Sequence, residues 1–213
     1  MKTTTQILAA FSLMSAFTVH AAPPITITSL PFTVSSPGTY VLAQDLTFSG
    51  NGIAISIPTN LPGQVIVDLK GHTITGTGGG TGVGIGGDFT GPLVSNTSPI
   101  TVRNGTLKGF PFGVWAESNF SAPLTLIEVS NMTLIWSGGA QNSVGVIFGG
   151  YIDNSTVRNC TFSAFVTGIE DVLSFGGNRY INCKFTNSNP LSIISGNGIV
   201  PVLEDCEFQA PAN

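Results

Sequence analysis

"VRNCTFSAF", residues 157–165, is the stretch whose reading decides the fold. Twenty-three residues later the chain reads "YINCKFTNS" (180–188), and after the same interval "LEDCEFQA" (203–210). The three cysteines, Cys160, Cys183 and Cys206, stand at corresponding places in these segments. Within each segment apolar and polar residues alternate. Val157 points inward and Arg158 outward; past Asn159, Cys160 points inward, Thr161 outward and Phe162 inward. A period of two is the mark of a strand. The break at Asn159 marks a bend between two short strands.

The same pattern recurs upstream in "VDLKGHTITG" (67–76), "TVRNGTLKG" (101–109) and "EVSNMTLIW" (128–136). The bend column is then Gly71, Asn104, Asn131, Asn159, Asn182 and Asp205, at intervals of 33, 27, 28, 23 and 23 residues. Glycine, asparagine and aspartate enter left-handed backbone angles at low cost, which is what a sharp bend asks of them. Asn104, Asn131, Asn159, Asn182 and Asp205 are expected to form a structural ladder, side chains hydrogen-bonded from coil to coil. A third short apolar run precedes each unit: "GIAISI" (52–57), "TGVGIG" (81–86), "FGVWAE" (112–117), "SVGVIFG" (143–149), "VTGIEDV" (166–172) and "LSIIS" (191–195). Three strands per repeat, with no helical period, predict an all-β, single-stranded parallel β-helix. About six or seven coils at ~4.8 Å per rung make a solenoid roughly 30–35 Å long. Extra residues fall in 75–82, 86–99 and 117–123.

The N-terminus reads differently. Lys2, the apolar "ILAAFSLMSAFTV" and the small residues of "VHAA" predict a secretory signal peptide over 1–22. Residues 23–48, broken by prolines, are expected to be an N-terminal cap and first strand; 49–213 carry the repeats. No later run is long and apolar enough to span a bilayer, so no membrane insertion is expected. Removing Lys2 from seven basic residues leaves six against eleven acids, a formal charge of −5. That balance argues against nucleic acid as a partner. The expected location is secreted or periplasmic.

These repeats, with the opening "LPFTVSSPGTYVLAQDLTFSG" and "VIVDLKGHTITG", resemble secreted bacterial β-helix proteins of the pectate-lyase-like superfamily, over nearly the whole chain after the signal peptide. The resemblance implies a right-handed solenoid whose sugar-binding face is the strand preceding the Asn bend. The superfamily's enzymatic motif sets do not occur here. "GTYVL" (38–42), for example, has Leu42 where esterases of the superfamily carry a glutamate.

The cysteines share an inward column with His72, Gly105 and Met132, which makes it a packing column. Buried free thiols are the first reading and one strained disulfide the alternative. Zinc-type cysteine spacings do not occur. His72, the only histidine after the signal peptide, reads as a core or end-coil residue, with a catalytic base as the alternative. On the outer face the aligned column is Ser56, Gly86, Trp115, Ile147, Glu170 and Ile194. Trp115 and Glu170 are the carbohydrate-binding candidates. Glu170, Asp171 and Glu117 are the acids available for catalysis. No cofactor is indicated, though such acids also suit calcium. Lys70, Arg103 and Arg158 form a candidate basic stripe. The leading functional expectation is a non-catalytic solenoid that binds polysaccharide or serves the cell envelope or matrix. The alternatives are a polysaccharide lyase or glycoside hydrolase, and an adhesin-like protein that self-associates through its C-terminal coil.

Overall fold

The computed structural model describes residues 22–86, 98–118, 121–138, 142–174, 176–194 and 201–209, with the backbone alone for 190–194. Apart from Ala22, the expected signal peptide lies outside the described residues, as do Asp88 and most of the 86–99 insertion. All regular structure among the described residues is strand, with no helix to cross a membrane. Every strand pair is parallel. The result is a parallel β-solenoid of about six turns. A larger sheet of 13 described strands carries both arms of the Asn bend, and a seven-stranded sheet closes the coil.

The coil around Cys160 shows the plan. Thr156–Arg158 leads into the bend, Thr161–Ser163 leaves it, and Thr167–Val172 crosses to the seven-stranded sheet. Each strand rests on its equivalent in the next coil: Thr156 on Arg179, Thr161 on Lys184, Thr167 on Asn189. At the bends, Asn104, Asn131, Asn159, Asn182 and Asp205 have φ of 59, 53, 54, 49 and 51°. Their side chains link the coils. Nδ2 of Asn131 donates to Oδ1 of Asn104 at 3.1 Å, Asn159 to Asn131 at 3.1 Å, and Asn182 to Asn159 at 2.9 Å. Asn104 donates to Oδ2 of Asp68 at 3.2 Å. Among the described residues no hydrogen bond joins Asn182 to the Asp205 side chain, since a carboxylate has no N–H to give.

One bend departs from the alignment. Asp68 pairs with Arg103 and Thr73 with Thr106, so the intervening bend is two residues longer than its successor. Leu69, fully buried, fills the interior there. His72 is therefore not an inward neighbour of the cysteines. It is 36% exposed, with Nδ1 3.2 Å from Oδ1 of Asp45. Gly105 answers to the same insertion: a Cβ on it would lie 2.3 Å from Leu69 Cβ. The longer bend also removes Lys70 from the expected basic stripe, where Asp68 stands instead.

Most interior columns are apolar. Ile74, Leu107, Leu134, Phe162 and Phe185 stack in one, with Phe162 and Phe185 ring centroids 4.9 Å apart and nearly parallel. Opposite them runs a column of the smallest residues: Ala54, Gly82, Gly113, Gly145 and Gly168. A Cβ on Gly113 would meet Leu134 Cδ2 at 2.4 Å, and one on Gly145 would meet Phe162 Cδ1 at 2.3 Å. Large side chains from one wall thus define where the other wall must carry glycine. Solenoid stacking already begins with Ile25–Ile27, which pairs with Gly38–Leu42 inside the segment read as a cap.

Candidate functional site

Strand register assigns the outer column of the seven-stranded sheet to Ser56, Gly84, Trp115, Ile147, Glu170 and Ser192. Gly86 and Ile194, aligned there by sequence, each stand two residues further along. A two-residue slip keeps the same face, so alternation alone does not detect it.

Phe112–Glu117 is the strand that organises this face. The indole Nε1 of Trp115 donates to Oε2 of Glu117 at 2.8 Å. The Phe112 ring packs against Trp115, with centroids 5.0 Å apart. Glu117 reaches this position across Gly149, where a Cβ would come within 2.5 Å of the same Oε2. The indole is therefore held on its polar edge and its flank. It stands between two grooves. One, of about 460 Å³, has Thr33, Asn51, Ser56, Thr81 and Phe112 in its walls. The other, of about 450 Å³, is bounded by Glu117, Ser118, Ile147, Tyr151 and Glu170. The structure thus brings Trp115, Glu117 and Glu170 to one groove. Glu170 is half-buried and has no hydrogen-bond or ion-pair partner among the described residues.

Asp171 does not join them. Neighbouring strand residues face opposite sides, and Asp171 points into the core, fully buried, in the column of Ala116 and Phe148. Its Oδ2 accepts from Tyr180 Oη at 2.6 Å and from Asn178 Nδ2 at 3.1 Å, while Oδ1 has no partner among the described residues. Burial and then the adjacent carboxylate hold the Tyr180 phenol well above its usual range, so Tyr180 remains the donor. Asp171 is a structural acid, removed from the outer face.

The cysteines are free. Cys160 and Cys183 are buried, and Cys206 is half-buried in the last described coil. Each Sγ donates to backbone carbonyls, as Cys160 does to Arg158 O at 3.3 Å. Burial pushes the Cys160 thiol well up, away from reactive thiolate. Among the described residues no group of three or more His, Cys, Asp and Glu side chains is arranged to hold a metal ion.

The three arginines are paired along the larger sheet. Arg103 meets Asp68 at 3.0 Å, Arg158 meets Glu128 at 2.8 Å, and Arg179 meets Glu204 at 2.6 Å. Burial works to raise the Asp68 carboxyl. Hydrogen bonds from Lys70 N, Asn104 and Arg103 outweigh it, and the group lies below its ordinary value. Glu128 is likewise lowered: burial opposes, and Ser130 and Arg158 prevail. These pairs neutralise the arginines of this surface.

Ser118, Gly149 and Tyr151 carry no signal of their own in the sequence. They lie in or beside strand ends whose neighbours come from other coils, and only "GGY" (149–151) after an apolar strand hints at a groove floor. No protein-family model matches this chain, and no curated protein matches it.

Proposed function

We propose that this chain is an exported, right-handed β-helix protein of the pectate-lyase-like superfamily that binds polysaccharide without cleaving it. The observation that supports this reading is the Trp115 indole, fixed by Glu117 and Phe112 between two grooves on one sheet face. A braced aromatic with grooves on both sides suits a sugar chain laid across several coils. Binding is favoured over cleavage because glycoside hydrolysis by paired carboxylates needs two free acids. Here Asp171 is in the core, and of the two acids in the groove Glu117 already accepts from the indole, which leaves Glu170 as the one carboxyl there with both oxygens open among the described residues.

Native electrophoresis through gels cast with neutral, acidic and basic polysaccharides, with and without calcium, tests this. The expected result is retardation by at least one polymer, no loss of that polymer, and release in Trp115→Ala. Depolymerisation abolished by Glu170→Gln would establish the enzymatic alternative instead. Self-association has its own supporting observation. Val202, Leu203 and Phe208, on the last described rung, are 48, 40 and 56% exposed. Sedimentation equilibrium at rising concentration tests it, and a strict monomer removes it.

A further inference from the structure

The face that carries Trp115 has charge of one sign only. All six basic residues after residue 22 (Lys70, Arg103, Lys108, Arg158, Arg179 and Lys184) stand on the larger sheet or its bends. The strands of the seven-stranded sheet contain no Lys or Arg, nor do the sequences of 87–97, 119–120, 139–141, 175, 195–200 and 210–213. What faces outward on that sheet is Glu117 and Glu170, in the wall of one groove of about 450 Å³. Glu117 gives one oxygen to the indole N–H, and its other oxygen accepts nothing among the described residues. Glu170 has no partner there at all. A third, independent group completes the groove. Ser118 is 4% exposed, lines the same groove, and its Oγ has no hydrogen-bond partner among the described residues. A buried hydroxyl left unpaired is a group awaiting a partner.

Building on the glycan-binding reading above, we infer that this groove takes an amine-bearing sugar polymer, a hexosamine chain with free ammonium groups. An ammonium carries three donors and no acceptor. Glu170 and the open oxygen of Glu117 are acceptors only, so charge and hydrogen-bond sense both match. The Trp115 ring supplies a surface for the sugar and, at its face, a favourable contact for the cation. The Ser118 hydroxyl is left to pair with a sugar hydroxyl. A polyuronate meets the opposite situation. Its carboxylates come against Glu117 and Glu170 with no basic side chain on the same sheet to offset them.

Six calorimetric titrations of the protein decide this: a glucosamine hexamer, its fully N-acetylated counterpart, a glucose hexamer, a galacturonate hexamer without and with calcium, and hexalysine. The glucosamine hexamer is expected to bind at least ~10-fold more tightly than the other five, with an affinity that falls as salt rises. Glu170→Gln is expected to remove most of that preference while the weaker binding of the acetylated hexamer persists. The residue is half-exposed and unpartnered, and an unchanged melting temperature verifies the fold. Equal affinity for the acetylated and free-amine hexamers overturns the inference and leaves the glycan reading standing. So does tightest binding of galacturonate, with or without calcium. Hexalysine matching the glucosamine hexamer overturns it as well, because the groove then reads charge and not sugar. Binding of none of the sugars removes both readings.

Discussion

Gly105 shows how much a single residue decides in a stacked fold. It stands in a column otherwise held by Met132 and the cysteines, and it is small because Leu69 of the previous coil occupies its space. Gly105→Ala places a Cβ against Leu69 Cβ and the His72 carbonyl, neither of which can rotate away. The expected loss is roughly 1–3 kcal/mol of stability, the scale of overpacking a core. Gly52→Ala is the control, since a Cβ there meets nothing within 4 Å. Its effect is expected within about 0.5 kcal/mol. Urea denaturation of both variants measures the contrast. The two extra residues that cause this were not legible in the sequence. "LKGH" (69–72) alternates as well as any strand, and only the pairing of Asp68 with Arg103 and Thr73 with Thr106 exposes the insertion. Asp171 is the opposite case. Its inward direction follows from Glu170 facing out, but adjacency in sequence invites a reading of two acids as a pair.

The Asn ladder is the element that the sequence displayed best. Stacking forces every coil to solve the same backbone problem at the same place, so the same residue type returns. Two terms are mixed in each rung: a left-handed backbone angle and a side-chain hydrogen bond to each neighbour. Substitutions at Asn159 separate them. Asn159→Gly keeps the φ of 54° accessible and loses the bonds to Asn131 and Asn182. Asn159→Ala loses the bonds and adds backbone strain of about 1–2 kcal/mol. The alanine variant is therefore expected to be the less stable by about that margin, read from thermal and urea midpoints. The glycine column was equally visible in "TGVGI", "FGVWA" and "VGVIF", yet its cause was not. It depends on Leu134 and Phe162 reaching across from the far wall, which no local pattern records. The groove beside Trp115 was half legible: Trp115 and Glu170 share a column that alternation reveals, whereas Ser118 and Tyr151 arrive through loops.

The whole molecule sets its arginine–carboxylate pairs on one sheet, and that gives its stability a pH dependence of definite sign. Asp68 and Glu128 are held below their ordinary values in the folded protein. A lowered folded value contributes stability that is fully present above the unfolded value, about 4 for these groups. It is lost as pH falls through the lower folded value. The melting temperature is therefore expected to be level from about pH 7 to 5 and to fall below about pH 4. Asp68→Asn is expected to melt lower at neutral pH and to show a shallower decline in acid, as a series of melting curves would record. Coils contact only their neighbours, so the unfolding follows nearest-neighbour terms along the axis. The architecture itself was legible for that reason: one good repeat implies the next, while register, handling of insertions and the grooves between loops belong to the assembled stack.

Asp205 gives the stack a direction of growth. Each asparagine in the ladder offers a donor to the coil before it and an acceptor to the coil after it, so the column behaves like a chain of like-handed couplings. A duplicated coil spliced between Asn159 and Asn182 would bring both halves of the coupling and lengthen the molecule without a fault. Asp205 carries acceptors only, and the coupling stops at Asn182 Oδ1. Restoring an amide with Asp205→Asn is expected to add about 0.5 kcal/mol, as an exposed hydrogen bond does, seen as a small rise in melting temperature. The ladder thus lengthens from within whenever a coil with an asparagine bend is duplicated, while the link between Asn182 and Asp205 stays open.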